Sequence, residues 1–206
     1  DKAKNFIEES LTIRRQINDV RGLAIALSTL STILRFQGDI ENAIRFARES
    51  NHLYSSMGDQ LSTAEGLQSL GMTLNHTGDF AEGLEHIEQS IPLYRALYNS
   101  AGLVKAHANA SHVSACVGQY DRASYHANET ATIAEAMNDL RWLAQGYTLM
   151  AWQSVVAERF EQGESYAEKS LALSKGAGGH VEEDIARSVR AYAYEGQGRL
   201  ESARKL

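Results

Sequence analysis

The single cysteine of the chain, Cys116, stands four residues after His112. On a helix that spacing puts both on one face, where an imidazole can serve a thiol as base. A cysteine near a helix end is more often a small packing residue. His107 and His112 are five apart, on different helical faces, and Glu85-His86 has no second histidine at the four-residue spacing a helical zinc site needs. Gly176-Ala177-Gly178-Gly179-His180 is glycine-rich but lacks the lysine of a phosphate-binding loop and follows a helix, so it reads as an interhelical loop. Glu8-Glu9 and Glu182-Glu183 are adjacent carboxylates whose side chains diverge on a helix, as on solvated faces. No enzyme, cofactor or metal is expected from these residues.

The elements that carry them must be helical. One proline among 206 residues, with many alanines and leucines, favours helices throughout. A hydrophobic fraction of 43% is enough for a real core. Twenty basic against twenty-six acidic residues give a net charge of −6, interspersed without a basic face, so neither nucleic acid nor a membrane surface is an expected partner. No apolar run approaches the roughly 20 residues of a spanning helix. An unpaired cysteine fits a reducing cytoplasm. The chain opens at Asp1 in mid-helix and stops at Leu206 one turn into another, as a fragment of a longer protein would.

A forty-residue repeat organises the whole sequence. Gly38-Asp39-Ile40 recurs as Gly78-Asp79-Phe80, Gly118-Gln119-Tyr120, Glu158-Arg159-Phe160 and Gly198-Arg199-Leu200. A small residue follows three positions later in each: Ala43, Gly83, Ala123, Gly163, Ala203. Further columns read Ser10, Ser50, Ser90, Thr130, Ser170 and Ile13, Leu53, Leu93, Ile133, Leu173, and a second turn recurs at Asn18-Asp19, Gly58-Asp59, Asn138-Asp139 and Gly178-Gly179. Such periods mean stacked supersecondary units.

Each unit is expected to be two helices, A from about Arg21 to Phe36 and B from about Ile40 to Met57 in the first complete unit. A left-handed glycine ends helix A, and Asp39 or Asp79 caps helix B. Leu27, Leu30 and Leu34 share one face, as do Leu67, Leu70 and Leu74, and the small column marks a close approach of two backbones. Hairpins of this kind bury their apolar faces only by stacking, which predicts an all-α solenoid with a concave and a convex side. The units are 1–19 (a half unit), 20–59, 60–99, 100–139, 140–179 and 180–206 (truncated), in one domain over 1–206. Pro92 inside a helix B is either a bend on the outer wall or a hinge. In the last helix A, Arg190 replaces a leucine, and Ile185, Val189 and Tyr192 are expected to form a rotated apolar stripe.

Leu70-Gly71, Gly78-Asp79-Phe80 and Gly83 with Ser90 resemble the tetratricopeptide pattern stretched from 34 residues to 40. Ile7-Glu8-Glu9-Ser10-Leu11-Thr12-Ile13-Arg14-Arg15, followed by Asn18-Asp19 and Gly22-Leu23-Ala24, is similar to the long-period arrays of bacterial STAND-class signal-transduction ATPases and maltose-regulator-like transcription factors. The resemblance implies a right-handed superhelix and a sensor arm that binds an inducer or partner and releases a switch encoded elsewhere.

It also implies that helix A lines the concave groove. The positions carried over are Ile25, Ser28, Thr32 and Arg35, then Glu65, Gln68, Met72 and Asn75, then Lys105, Ala108, Asn109 and His112. Gln145, Thr148 and Trp152 follow, and then Ser188, Tyr192 and Glu195. One column reads Thr32, Met72, His112, Trp152, Tyr192, which is large and polarisable in four of five units. The adjoining column is small or hydrogen-bonding. Aromatic anchors beside small polar groups suit an extended peptide or small amphipathic ligand, although Trp152 and Tyr192 packing only between helices would give the same pattern. The expected partner is a protein or peptide segment or a small inducer, with self-association through the terminal helices as a further outcome. A constitutive scaffold without switching is the alternative.

Overall fold

A computed structural model describes the backbone of residues 2–177 and 180–205, with side chains described for 6, 7, 9–174 and 183–205. The described residues are helical, joined by tight turns: α1 (Lys2–Gln16), α2 (Val20–Gln37), α3 (Ile40–Ser56), α4 (Gln60–Thr77), α5 (Phe80–Ala96), α6 (Ser100–Cys116), α7 (Tyr120–Ala136), α8 (Leu140–Val156), α9 (Phe160–Ala177), α10 (His180–Gly196) and α11 (Leu200–Ala203). The expected A and B helices are present within a residue or two of their predicted ends. Gly178-Gly179, the centre of the glycine-rich segment, and the side chains of Glu8 and Glu182 lie outside the described residues. No described helix is long and apolar enough to cross a membrane.

Two compact units divide the chain, Asp1–Asn99 and Ser100–Leu206. In the first, consecutive helices from α1 to α5 pack against each other. Leu27, Leu30 and Leu34 of α2 join Leu11 of α1 and Ala43 of α3 in one buried cluster, each leucine of that α2 stripe at 1% exposure or less. Leu70 and Leu74 repeat this against Ala47. Burying one such side chain contributes about 1.5–3 kcal/mol, so the leucine stripe is a principal source of cohesion. In the second unit α6 to α11 pack in sequence, and α8 also packs against both α6 and α10. That side-by-side placing of successive A helices builds a continuous face there.

The small column does what its size requires. A Cβ built on Gly71 would lie 2.4 Å from the Gly83 carbonyl oxygen, and one on Gly83 would lie 2.7 Å from that of Gly71. Where this A position is serine, the hydroxyl donates to the backbone facing it: Ser31 Oγ to Ala43 O at 2.8 Å and Ser111 Oγ to Ala123 O at 2.9 Å. Beyond Ser10, which is half-buried, the Ser/Thr column of helix B is equally buried, with Ser50 donating to Ala24 O and Ser170 meeting Thr148 Oγ1, both at 2.8 Å.

Turn chemistry follows the sequence with one correction. Gly38, Gly78, Gly118 and Gly198 all have left-handed φ between 74° and 87°, and Glu158 takes φ 58° in the unit that lacks the glycine. Asp39 caps α3 through Asn42 N, but Asp79 makes no cap bond, because its carboxylate instead accepts from Thr77 Oγ1 at 2.6 Å. The more regular caps are at helix A, where Asp19, Asp59 and Asp139 each accept first-turn amides. α5 runs through Pro92, which is exposed.

The last helix A also needs correcting. Its buried stripe is Ala186, Val189, Ala193 and Tyr194, whereas Ile185 and Tyr192 are 43% and 52% exposed. Arg190 lies over the Tyr194 ring and reaches Glu168 at 2.7 Å, and Arg187 pairs with Glu183 one turn back. Charge at positions 187 and 190 removes the leucine stripe used by α2 and α4, so Val189 is buried in its place.

Candidate functional site

The column predicted to line the groove is at least partly open in every unit. In the first unit Thr32 of α2 and Met72 of α4 are half-buried. In the second, His112 is exposed on α6, Trp152 is half-buried on α8 and Tyr192 is half-exposed on α10. The Trp152 and Tyr192 rings lie 5.5 Å apart, centroid to centroid, with a 38° tilt. Trp152 also rests on the buried cluster of Ala151, Ala167 and Val189. Core packing thus fixes the indole, and the tyrosine ring that covers its edge keeps half its surface in solvent.

The surrounding predicted residues divide by depth. Glu65 and Lys105 are exposed, and Arg35, Asn75, Asn109 and Gln145 are half-buried. Arg35 lays its guanidinium over the neighbouring Phe36 ring at 4.6 Å. The adjoining column mostly turns inward. Gln68 is 4% exposed and accepts from Tyr94 OH at 3.5 Å, Ala108 is 3% exposed, and Thr148 is 6% exposed with its hydroxyl on Ala144 O and Ser170 Oγ. All three are buried, and in the second unit Ala108 and Thr148 are not brought to the face with Trp152 and Tyr192. Ser28 is half-buried and Ser188 is exposed.

Local electrostatics follow from burial and capping. Burial, reinforced by Glu65, pushes the Tyr94 phenol up to about 12, and burial likewise raises Tyr54. The backbone amide of Ser62 holds the Asp59 carboxyl below its ordinary value, with Arg21 at 2.9 Å assisting. For Glu164, burial pushes the carboxyl up, but hydrogen bonds from Gln197 and Tyr194 and the Arg199 charge outweigh it and lower the value.

Cys116 and His112 do share a face, with Sγ 3.9 Å from Nε2, in an exposed position. No described residue orients the imidazole from its other nitrogen, which a nucleophile–base pair needs. No group of three metal-ligating side chains occurs among the described residues. His107 instead turns inward, 1% exposed, with its Nδ1 3.0 Å from Nδ1 of the equally buried His126. Sequence reasoning missed His126. Its column reads Phe46, His86, His126, Tyr166, and facing columns at 107 and 126 would have paired the two rings.

Residues 63–107 match the tetratricopeptide repeat family model. No curated protein matches the chain. Among solved structures, BtubC (BKLC) from P. vanneervenii is similar at 14% identity and TM-score 0.82, covering 98% of this chain and 85% of that one. The apo form of RapI matches at 10% identity and TM-score 0.80, covering 95% of this chain, which spans only 56% of RapI. A putative kinesin light chain of Podosopora anserina with nearly identical TPR-like repeats matches at 13% identity and TM-score 0.75, over 87% of this chain and 89% of that one. At these identities the likeness is one of fold. With the forty-residue columns and the hairpins they form, it identifies the chain as an all-α helical-repeat array of tetratricopeptide-like fold, with the family match itself confined to residues 63–107.

Proposed function

We propose that the array is a non-catalytic binding module that takes a protein or peptide segment on the exposed face of its A helices, centred on Trp152 and Tyr192. The observation that carries this reading is the ring pair itself. Its inner member is held by the core, and its outer member is left half in solvent one repeat away. A rigid aromatic platform loses little entropy on binding and supplies the large contact area typical of interface anchors. Asn109, Gln145 and His112 flank it with hydrogen-bonding groups suited to a peptide backbone. The inward turn of Gln68 and Thr148 removes them from the binding set.

The finer reading is that this face is the cytoplasmic sensor arm of a larger signalling protein, with a small inducer as the other ligand class. The phrases at 7–15 and 18–24 support it by their resemblance to STAND-class and maltose-regulator-like arrays. Peptides selected from a random display library against the wild-type protein test the face: Trp152→Ala should lose affinity with helicity by circular dichroism intact, and unchanged affinity contradicts it. The coding region on either side tests the sensor role. A Gly-Lys-Ser or Gly-Lys-Thr loop upstream supports a switch, and repeats alone on both sides contradict it.

A further inference from the structure

In the second unit, away from the aromatic face, a cavity of about 200 Å³ opens between α7, the end of α8 and the start of α9. Its wall includes Ser124 and Asn128 of α7, Gln153 of α8, Arg159 in the turn, and Gln162 and Tyr166 of α9. Gln153 is only 5% exposed, and its buried Oε1 has no hydrogen-bond partner. A buried amide without a partner costs about 1–3 kcal/mol, so its presence needs a reason. The same column holds Ile33, Thr73, Val113 and Ala193 in the other units. Smaller residues, apolar or a threonine that bonds its own helix, therefore serve the packing at this position, and a glutamine is not required by the fold.

The rest of the wall is suited to an anion. Arg159 brings a guanidinium and pairs with no carboxylate among the described residues, and no described carboxylate lines the cavity. Glu158 and Glu161 border a neighbouring depression that shares Arg159 and Gln162. Gln162 lies in the first turn of the 18-residue α9 and Arg159 immediately precedes that helix, at the positive end of its dipole. This turn position reads Asp39, Asp79, Gln119, Arg159 and Arg199 along the repeats, and Arg199 is paired with Glu164 whereas Arg159 stands beside the buried amide. The Gln153 carboxamide offers an acceptor at one end and a donor at the other, and it can turn end for end.

We propose that this cavity is a separate binding site for a small organic carboxylate that carries an N–H or O–H donor beside its acid group. Arg159 takes the carboxylate, with the amide of Gln162 at its side, and Gln153 takes the donor. This assignment is independent of the aromatic face and stands or falls without it.

The test is an NMR titration of the isotope-labelled protein with N-acetylglycine, which has both groups, and with its uncharged counterpart N-acetylglycinamide. Saturable shifts at the Gln153 side-chain amide, the Arg159 Nε–H and Gln162 are expected with the acid only. Arg159→Gln should weaken binding about tenfold or more, the worth of one hydrogen bond to a charged group, and Gln153→Val about threefold to tenfold, the worth of a neutral one. Gln153→Val should also melt at a higher temperature than wild type, because it removes an unpaired buried amide. Equal response to acid and amide, no saturable shift, unchanged affinity in Gln153→Val, or a lower melting temperature of that variant would each overturn the proposal. Inorganic phosphate shifting the same signals while N-acetylglycine does not would also overturn it, in favour of a bare anion site.

Discussion

Trp152 of α8 and Tyr192 of α10 occupy the same position of consecutive repeats, and their rings meet at 5.5 Å. The contact ties two A helices together and leaves a half-exposed aromatic platform at their junction. The packing reading of this column is present in the pair, and the proposed binding would use the surface that Tyr192 leaves in solvent. Trp152 mainly packs, and Tyr192 mainly presents surface.

Tyr192→Ala separates these roles. Because Tyr192 is half in solvent, its loss should change stability by less than about 1 kcal/mol while weakening binding of a display-selected peptide by roughly 2 kcal/mol, the scale of an interface hot spot. Thermal melts and calorimetric titration check the two halves. Trp152→Ala should affect both, since its indole also covers Ala151 and Val189.

The backbone approach of α4 and α5 is tested by Gly71→Ala. The added methyl carbon would lie 2.4 Å from the Gly83 carbonyl, which is backbone and cannot swing aside. A loss of about 1–3 kcal/mol is expected in urea unfolding, the usual cost of overpacking. An unchanged midpoint would mean that the two backbones are further apart than described.

Tyr94 gives an alkaline prediction. Its phenol ionises near 10.0 in the unfolded chain and is pushed up to about 12 by burial. The folded state therefore keeps a proton that the unfolded state releases. The contribution of the neutral phenol is complete below pH 10.0 and is lost as pH rises toward 12. Tyr94→Phe should flatten the fall in stability over that window by about 2–3 kcal/mol, measured as unfolding free energy against pH.

Asp59 gives the acid counterpart. Its carboxyl caps α4 through Ser62 N and is held below its ordinary value of 3.8. Its contribution is present above 3.8 and is lost as pH falls through the lower folded-state value. Asp59→Ala should cost about 0.5–2 kcal/mol at neutral pH, and the gap from wild type should close in strong acid.

Much of the fold was legible because the repeat states the same fact several times. Leu27, Leu30 and Leu34 recur as Leu67, Leu70 and Leu74, and glycine recurs at 38, 78, 118 and 198, so helix ends and core faces need no single decisive residue. The site was less legible, for a geometric reason. On a helix about 100° separates successive residues, so columns four apart, such as 68 and 72 or 148 and 152, diverge by some 40°. That offset is enough to bury Gln68 and Thr148 while leaving Met72 and Trp152 partly open. Rotation in α10 followed from charge at 187 and 190, but which residues replaced the stripe depended on packing against α8 and α9. The unpartnered Gln153 gave a signal only as an exception within an otherwise apolar or small column.

The central claim is that the A-helix face around Trp152 and Tyr192 is where a protein segment binds. The most direct measurement is an NMR cross-saturation footprint of a display-selected peptide on the labelled wild-type protein. The account predicts signal loss concentrated at His112, Gln145, Trp152 and Tyr192, with Asn109 included and the B helices α7 and α9 unaffected. A footprint on α7 and α9 that spares Trp152 and Tyr192 would contradict it.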